Sequence, residues 1–291
     1  MEEQRELNHL QITVLAEDSV EYESPLLGQH GISFLVKTIG DAQKNILVDV
    51  GQNPDALLYN MKKLNIFTEE LDSIVLTHCH YDHTQGLSKV LRAIGKKGVP
   101  VIAHPSIFRL HFIKYPYLRH VGMMEGDSRE DIEKAGGRLF LTEDPLDLVA
   151  GLITTGEVPR KTDFENPGIA LSTIDNGKLK EDQVLDDISL VACVKNKGIV
   201  IITGCSHAGI VNITQYAVEL TGITKIEGII GGFHLIEASK ERIDRTVDAL
   251  SHFDVNWIAA GHCTGFHAQV ALYNKFGERF IPLRTGMNFN I

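Results

Sequence analysis

Short apolar runs alternate with amphipathic stretches along most of the chain, each run about as long as one strand. Residues 10–15 (LQITVL), 31–39 (GISFLVKTI) and 45–50 (NILVDV) read as strands, the last two joined by the turn GDAQKN. Leu57, Leu58, Met61 and Leu64 recur at helical spacing, which predicts a helix from Pro54 to Leu64. A strand over 71–77, a helix over 86–94 and a brief strand over 100–103 follow. After Gly136 the chain is strand-rich (RLFLTE, LDLVAGLITTG), then polar and turn-like from 172 to 183. DISLVACV and GIVIITG read as strands around the turn KNKG, followed by a helix over 210–221. The strand KIEGIIGG, the amphipathic helix SKERIDRTVDALSHF, the strand VNWIAAG and the helix HAQVALYNKFG come next, and ERFIPLRTG closes the chain. Strands and helices in alternation predict an α/β layered fold. Residues 105–135 break the pattern, being aromatic and basic without a period. They are expected to form a helical insertion in a single domain spanning 1–291, packing over a site or forming a homodimer interface.

Polar residues out of keeping with this pattern collect just after the strands. Thr77-His78-Cys79-His80-Tyr81-Asp82-His83 places four potential metal ligands within six residues. In a loop after a strand, His78 and His80 can converge on one ion while Asp82 and His83 reach a second. Imidazole with carboxylate suits zinc, manganese or iron, and paired sites of this kind hold their ions about 3.5–4 Å apart. His207, His234 and His262 each follow a short apolar strand in a glycine-bordered loop, so a shared site is expected. His30 and His104 lie beside strands on the same presumed face.

Composition narrows the class. Of 291 residues 43% are hydrophobic, enough for a full-sized core and too many for disorder. The formal charge of −10, without a basic block, argues against a nucleic-acid partner. No apolar run approaches the length of a membrane span, and the start, MEEQRELNHLQ, is charged and lacks a leader-like core. Cys79, Cys193, Cys205 and Cys263 form no C-x-x-C pair. They are expected to be reduced packing residues or supports of the site in a cytoplasmic protein.

The motif His78-x-His80-x-Asp82-His83 resembles the signature of the metallo-β-lactamase fold superfamily, and nearly the whole chain fits that layout. The resemblance implies a four-layer αββα sandwich with two mixed sheets and two divalent metal ions at one sheet edge. His78, His80 and His207 would hold the first ion; Asp82, His83 and His262 the second; Asp49 would support the ligand loop. The chain departs from most hydrolytic members in one respect. Where a bridging aspartate is expected between the last two histidines, it has GGFHL and His234, which makes His234 and Asp82 the candidate catalytic residues.

The segments HGISFLVKT, THCHYDHTQG, TGEVPR, TGCSHAG, GGFHL and GHCTG are similar to one subgroup, the dihydropterin–aminobenzene ribosyl phosphate synthases. This implies metal-dependent chemistry on a phosphorylated, pterin-like small molecule. In the transferase form a dihydropterin methyl diphosphate couples to an aminobenzene ribosyl phosphate, with carbon–carbon bond formation as pyrophosphate departs. Arg160 and Lys161 are the candidate phosphate contacts, with Arg109, Lys114 and Arg119 in the insertion as further ones. The loops at 18–30, 104–125 and 157–168 are expected to choose the substrate. The alternatives are a dinuclear-metal hydrolase of a phosphoester, lactone or thioester, in which metal-bound water attacks, and a non-catalytic metal-binding protein, which demands a closed site.

Overall fold

A computed structural model describes residues 6–40 and 43–291. Two seven-stranded mixed sheets lie face to face. The first runs, in spatial order, Asn288–Asn290, His9–Ala16, Ser33–Ile39, Lys44–Val48, Ser73–Val75, Val99–Ala103 and Gly137–Leu141. Its first half is antiparallel, and it turns parallel from Lys44–Val48 onward. The second runs Phe280–Pro282, Asp254–Gly261, Lys225–Gly232, Gly198–Ile202, Leu190–Val194, Leu152–Thr154 and Leu146–Val149. Four of these strands are parallel and the remainder antiparallel.

The layers follow from alternation along the strands. Phe34, Val36, Ile46 and Val48 point between the sheets, where they meet Leu190, Ala192, Val200, Ile202 and Ile230. The intervening Leu35 and Leu47 face outward onto helices Pro54–Lys63 and Leu87–Ile94. On the second sheet Ile199 and Ile201 face outward onto helices Ile210–Thr221, Lys240–Leu250 and Phe266–Phe276. Strands buried on both faces read as unbroken apolar runs, as these do. The result is the expected αββα sandwich. Among the described residues no helix is long and apolar enough to cross a membrane.

The elements agree with the sequence pattern except in three places. The stretch 105–135 is not a helical insertion. It holds a single-turn 3-10 helix (Pro105–Phe108), the short strands His111–Ile113 and Arg119–His120, and one capped helix, Arg129–Lys134. The tract 172–183 is a hairpin, Ser172–Asp175 with Lys178–Glu181, rather than a run of turns. These four strands form a separate small sheet, stabilised by pairing between segments about sixty residues apart, which local periodicity does not reveal. The terminal strand Asn288–Asn290 was also invisible to pattern, since only its pairing with Gln11–Thr13 makes it a strand. Asp41 and Ala42 of the expected turn GDAQKN lie outside the described residues.

Phe34 is fully buried between the sheets. Replacing it with alanine leaves a cavity there and is expected to cost about 3–5 kcal/mol. Urea titration should show a lower midpoint with an unchanged slope.

Candidate metal centre

Every site residue stands at the carboxyl end of a strand. Asp49 follows Lys44–Val48, and the loop Thr77–His83 follows Ser73–Val75. Cys205 and His207 follow Gly198–Ile202, His234 follows Lys225–Gly232, and His262 follows Asp254–Gly261. Asp49, Ser206, His234 and His262 all adopt positive φ, between 41° and 60°. Four left-handed non-glycine residues in one place mark strain held at a functional site. Gly204 lets two of the loops meet, because a Cβ there would lie 2.1 Å from Thr77 Oγ1.

His78, His80 and His207 are brought together with their ring nitrogens within 4.8 Å of one another. His80 Nδ1 lies 3.0 Å from His78 Nε2 and 3.1 Å from His207 Nε2. The outward nitrogens fix the tautomers. His207 Nδ1–H donates to the Pro167 carbonyl at 2.7 Å. Thr77 Oγ1 spends its proton on Asp49 Oδ2 at 2.7 Å, so it accepts from His78 Nδ1–H at 3.0 Å. His78 Nε2 and His207 Nε2 therefore both point lone pairs at His80 Nδ1. Burial, then the neighbouring imidazoles, hold the basicities of His78 and His207 well below the ordinary range. Burial and His111 do the same to His80. Three neutral, buried nitrogens converging in this way fit a divalent cation.

The second group comprises Asp82, His83, Cys205 and His262, with ligand atoms again within 4.8 Å. His83 Nδ1–H donates to Asp49 Oδ2 at 2.7 Å, leaving Nε2 3.1 Å from Cys205 Sγ. His262 Nδ1–H donates to Asp18 Oδ2 at 2.7 Å, leaving Nε2 3.2 Å from Asp82 Oδ2 and misaligned for a hydrogen bond. Burial raises the Asp82 carboxyl, but the imidazoles of His83 and His262 outweigh it and hold the group well below the carboxylate range. Asp82 is thus an anion, as a metal ligand requires. The sequence suggests packing or a supporting place for Cys205, not a place in the group itself; its spacing of two from His207 is the available signal.

The nitrogens that face away from these groups enter a support network. His80 Nε2 lies 2.7 Å from His111 Nε2, and His111 Nδ1 lies 2.6 Å from Asp182 Oδ2. Asp182 also accepts from Arg109 Nε at 2.6 Å. Arg109 forms a bent ion pair with Asp186 at 2.7 Å, and Asp186 accepts the Cys79 N–H at 2.8 Å. His111 and Arg109 come from the segment after the strand Val99–Ala103. Arg109 is therefore an internal counterion of the ligand loop.

A cavity of about 480 Å³ opens beside the two groups. His80, Asp82, Cys205, His234 and His262 contribute to its floor, and Ile113, Val121, Ile169, Leu171 and Phe266 give it apolar walls. Among the described residues Arg119 is the one arginine or lysine in its lining, and Asp18 and His30 line it from the loop at 18–30. Arg160 and Lys161 do not reach it. Arg160 donates to the carbonyls of His207, Gln183 and Val184, and Lys161 pairs with Glu219 on the surface. Neither is placed for the phosphate contact expected of it. Lys114 and His104 also lie outside the lining.

The pattern of the metallo-β-lactamase superfamily matches residues 30–168. The chain is 42% identical over 284 residues to the 7,8-dihydropterin-6-methyl-4-(β-D-ribofuranosyl)-aminobenzene-5'-phosphate synthase of Methanocaldococcus jannaschii, covering 96% of each. Among solved structures it is similar to a metal-dependent hydrolase of the β-lactamase superfamily, with 25% identity, a TM-score of 0.79, and coverage of 97% of this chain and 99% of the other. The metallo-β-lactamase fold protein YhfI of Bacillus subtilis shares the fold at 14% identity and a TM-score of 0.56, covering 98% of this chain and all of its own. With its histidine groups and strand-end loops assembled in this way, the chain is a metal-dependent enzyme that belongs to the metallo-β-lactamase superfamily and is related to the dihydropterin–aminobenzene ribosyl phosphate synthase.

Proposed function

We propose that the enzyme couples a dihydropterin methyl diphosphate to an aminobenzene ribosyl phosphate, releasing pyrophosphate. The end-to-end likeness to the synthase, 42% over 96% of both chains, carries this reading. The cavity suits it: apolar walls accept flat ring systems, while Arg119 offers a cation to a phosphate. In our reading His78, His80 and His207 hold one divalent ion, and Asp82, His83, His262 and Cys205 hold a second. The mixture of imidazole, carboxylate and thiolate favours zinc, with iron or manganese as substitutes. Bound there, the ions supply Lewis acidity to a diphosphate leaving group.

The chemistry of the two partners corrects the bond expected from sequence. An aminobenzene's strongest nucleophile is its amine, so the bond formed is carbon–nitrogen. The nitrogen lone pair attacks the methylene carbon, the C–O bond to diphosphate breaks with its electron pair, and the amine gives up one proton. His234, part-buried on the cavity floor, is our candidate acceptor of that proton. The apolar walls exclude the water that would otherwise capture the methylene. Hydrolysis is the second reading, favoured by the likeness to the metal-dependent hydrolase at a TM-score of 0.79.

Mass spectrometry of an anaerobic reaction containing both substrates and Zn²⁺, Mn²⁺ or Fe²⁺ tests the proposal. A coupled product is expected, and it should vanish with His78→Ala, whose metal content falls by one ion. Metal-dependent cleavage of one substrate without coupling would establish the hydrolase instead.

Arg119→Ala should weaken phosphorylated-substrate affinity about 10- to 100-fold, the loss of one charge-assisted hydrogen bond, with metal content unchanged. An unaltered KM would remove Arg119 from the site.

His111 and Asp182 are assigned to positioning His80. With an ion on His80 Nδ1, Nε2–H donates to His111, whose Nδ1–H donates to Asp182. Chelator competition should show His111→Phe and Asp182→Asn lowering affinity at the first ion about 10- to 100-fold. His111→Gln, which keeps an acceptor at this position, should recover part of the loss.

A further inference from the structure

Two buried thiols and an imidazole meet beside the second histidine–carboxylate group; Cys205 is shared with that group, while Cys263 and His234 are used by neither ligand set above. The ligand atoms of Cys205, Cys263 and His234 lie within 4.8 Å of one another. Cys205 and Cys263 are buried and unpaired. The group comes from three strand ends: Cys205 after Gly198–Ile202, His234 after Lys225–Gly232, and Cys263 after Asp254–Gly261.

Three observations bear on what the group is for. The His234 backbone is held left-handed at φ 41°, an arrangement that costs energy and keeps the ring where it is. Its N–H donates to Cys263 Sγ at 3.3 Å, fixing the thiol against the same turn. His234 Nδ1 is buried without a hydrogen-bond partner in the protein, and a polar atom placed so normally answers to something. Gly232 is also constrained by this group: a Cβ there would stand 2.6 Å from Cys263 Sγ and 2.7 Å from the Gly204 carbonyl. The backbone thus clears space for a sulfur atom at the end of the strand. Cys263 Sγ also lies 3.7 Å from the Cys205 carbonyl, which holds the second thiol beside the first.

We propose that Cys205, Cys263 and His234 form a thiolate-rich subsite for a thiophilic divalent ion such as Zn²⁺, Fe²⁺ or Co²⁺. Sulfur ligands select these over magnesium, calcium or manganese. Cys205 belongs to both this group and that of Asp82, His83 and His262. Its sulfur is therefore the joint between the two, in the region where the sequence lacks a bridging carboxylate. His234 then has a ligand's role whenever the subsite is filled, and is free to face substrate when it is not. Two of the three ligands are cysteines, so metal preference at this end of the cavity differs from that of the all-imidazole group.

Co²⁺ titrated into reduced, metal-free protein under anaerobic conditions tests this by absorbance. Thiolate ligation gives a sulfur-to-cobalt charge-transfer band in the near ultraviolet, which imidazole and carboxylate do not. The wild type is expected to show the band, and His78→Ala to keep it, since the all-imidazole group contains no thiolate. Cys263→Ser should lose roughly half the intensity, one of two thiolate ligands being gone, and Cys205→Ser with Cys263→Ser all of it. His234→Ala should weaken Co²⁺ binding at this band at least tenfold. Circular dichroism checks each fold, and Cys263→Ala serves if the serine variant unfolds. A band of full intensity in folded Cys263 variants would leave Cys205 acting alone in the neighbouring group and overturn the subsite. So would a wild type that binds Co²⁺ with no band. Metal content of His78→Ala reads the all-imidazole group separately, so the two assignments fail independently.

Discussion

The carboxylate of Asp49 has no exposure to solvent and takes three hydrogen bonds at 2.7 Å: from the Thr77 N–H, the Thr77 hydroxyl and His83 Nδ1–H. The rest of the site depends on this arrangement. A buried carboxylate is tolerable only when its lone pairs are satisfied, and here each bond does a second task. The Thr77 amide bond sets where the strand ends and the ligand loop begins. The hydroxyl bond decides which nitrogen of His78 carries its proton. The imidazole bond turns Nε2 of His83 toward Asp82 and Cys205. One anion thereby prepares a ligand for each of the two groups. Asp49 does not cap the helix that follows; Asn53 does, accepting from Asp55 and Ala56.

The same logic is repeated outward with different partners. His207 is held by a backbone carbonyl, His262 by Asp18, and His80 by His111 with Asp182 behind it. Burial lifts the Asp182 carboxyl and the His111 and Arg109 bonds outweigh it, holding it far below the ordinary carboxylate range. Asp182 is thus a fixed negative charge at the end of the chain. Asp18, nearer solvent, is held at about 2 by His262 and His30 against the opposing effect of burial. Supporting acids that stay ionised keep the imidazoles oriented.

Both the layered fold and the His-x-His-x-Asp-His loop were legible in the sequence, for one reason: each is local. Alternation such as Phe34–Leu35–Val36 reports a strand with two buried faces, and four ligands in six residues need no tertiary information to be noticed. What was not legible came from distant pairing. The small sheet joins Phe112 to Ser172, and neither segment has a pattern of its own. Arg160 looked available because it is a cation in a polar loop, yet its guanidinium is spent on three carbonyls. Arg119, no more conspicuous in the sequence, lines the cavity because the small sheet carries it there. The place of His111, and of Cys205 within the Asp82–His83–His262 group rather than behind it, depends on which residues stand opposite, and that is set by the meeting of strand ends.

The absence of an aspartate at GGFHL therefore changes meaning once the strand ends are seen together. Taken alone, it suggests a second ion held weakly and a hydrolytic water poorly generated. In three dimensions Cys205 Sγ stands 3.1 Å from His83 Nε2, where in the reading proposed above a metal-bound thiolate would take the place of a carboxylate. A thiolate is a softer and larger donor than a carboxylate and has no second oxygen to orient a water. A site built on it is suited to hold an ion for binding and polarising a leaving group more than for making hydroxide. On the proposed transfer, in which diphosphate leaves, such a site would give the departure from the hydrolytic pattern a physical reason.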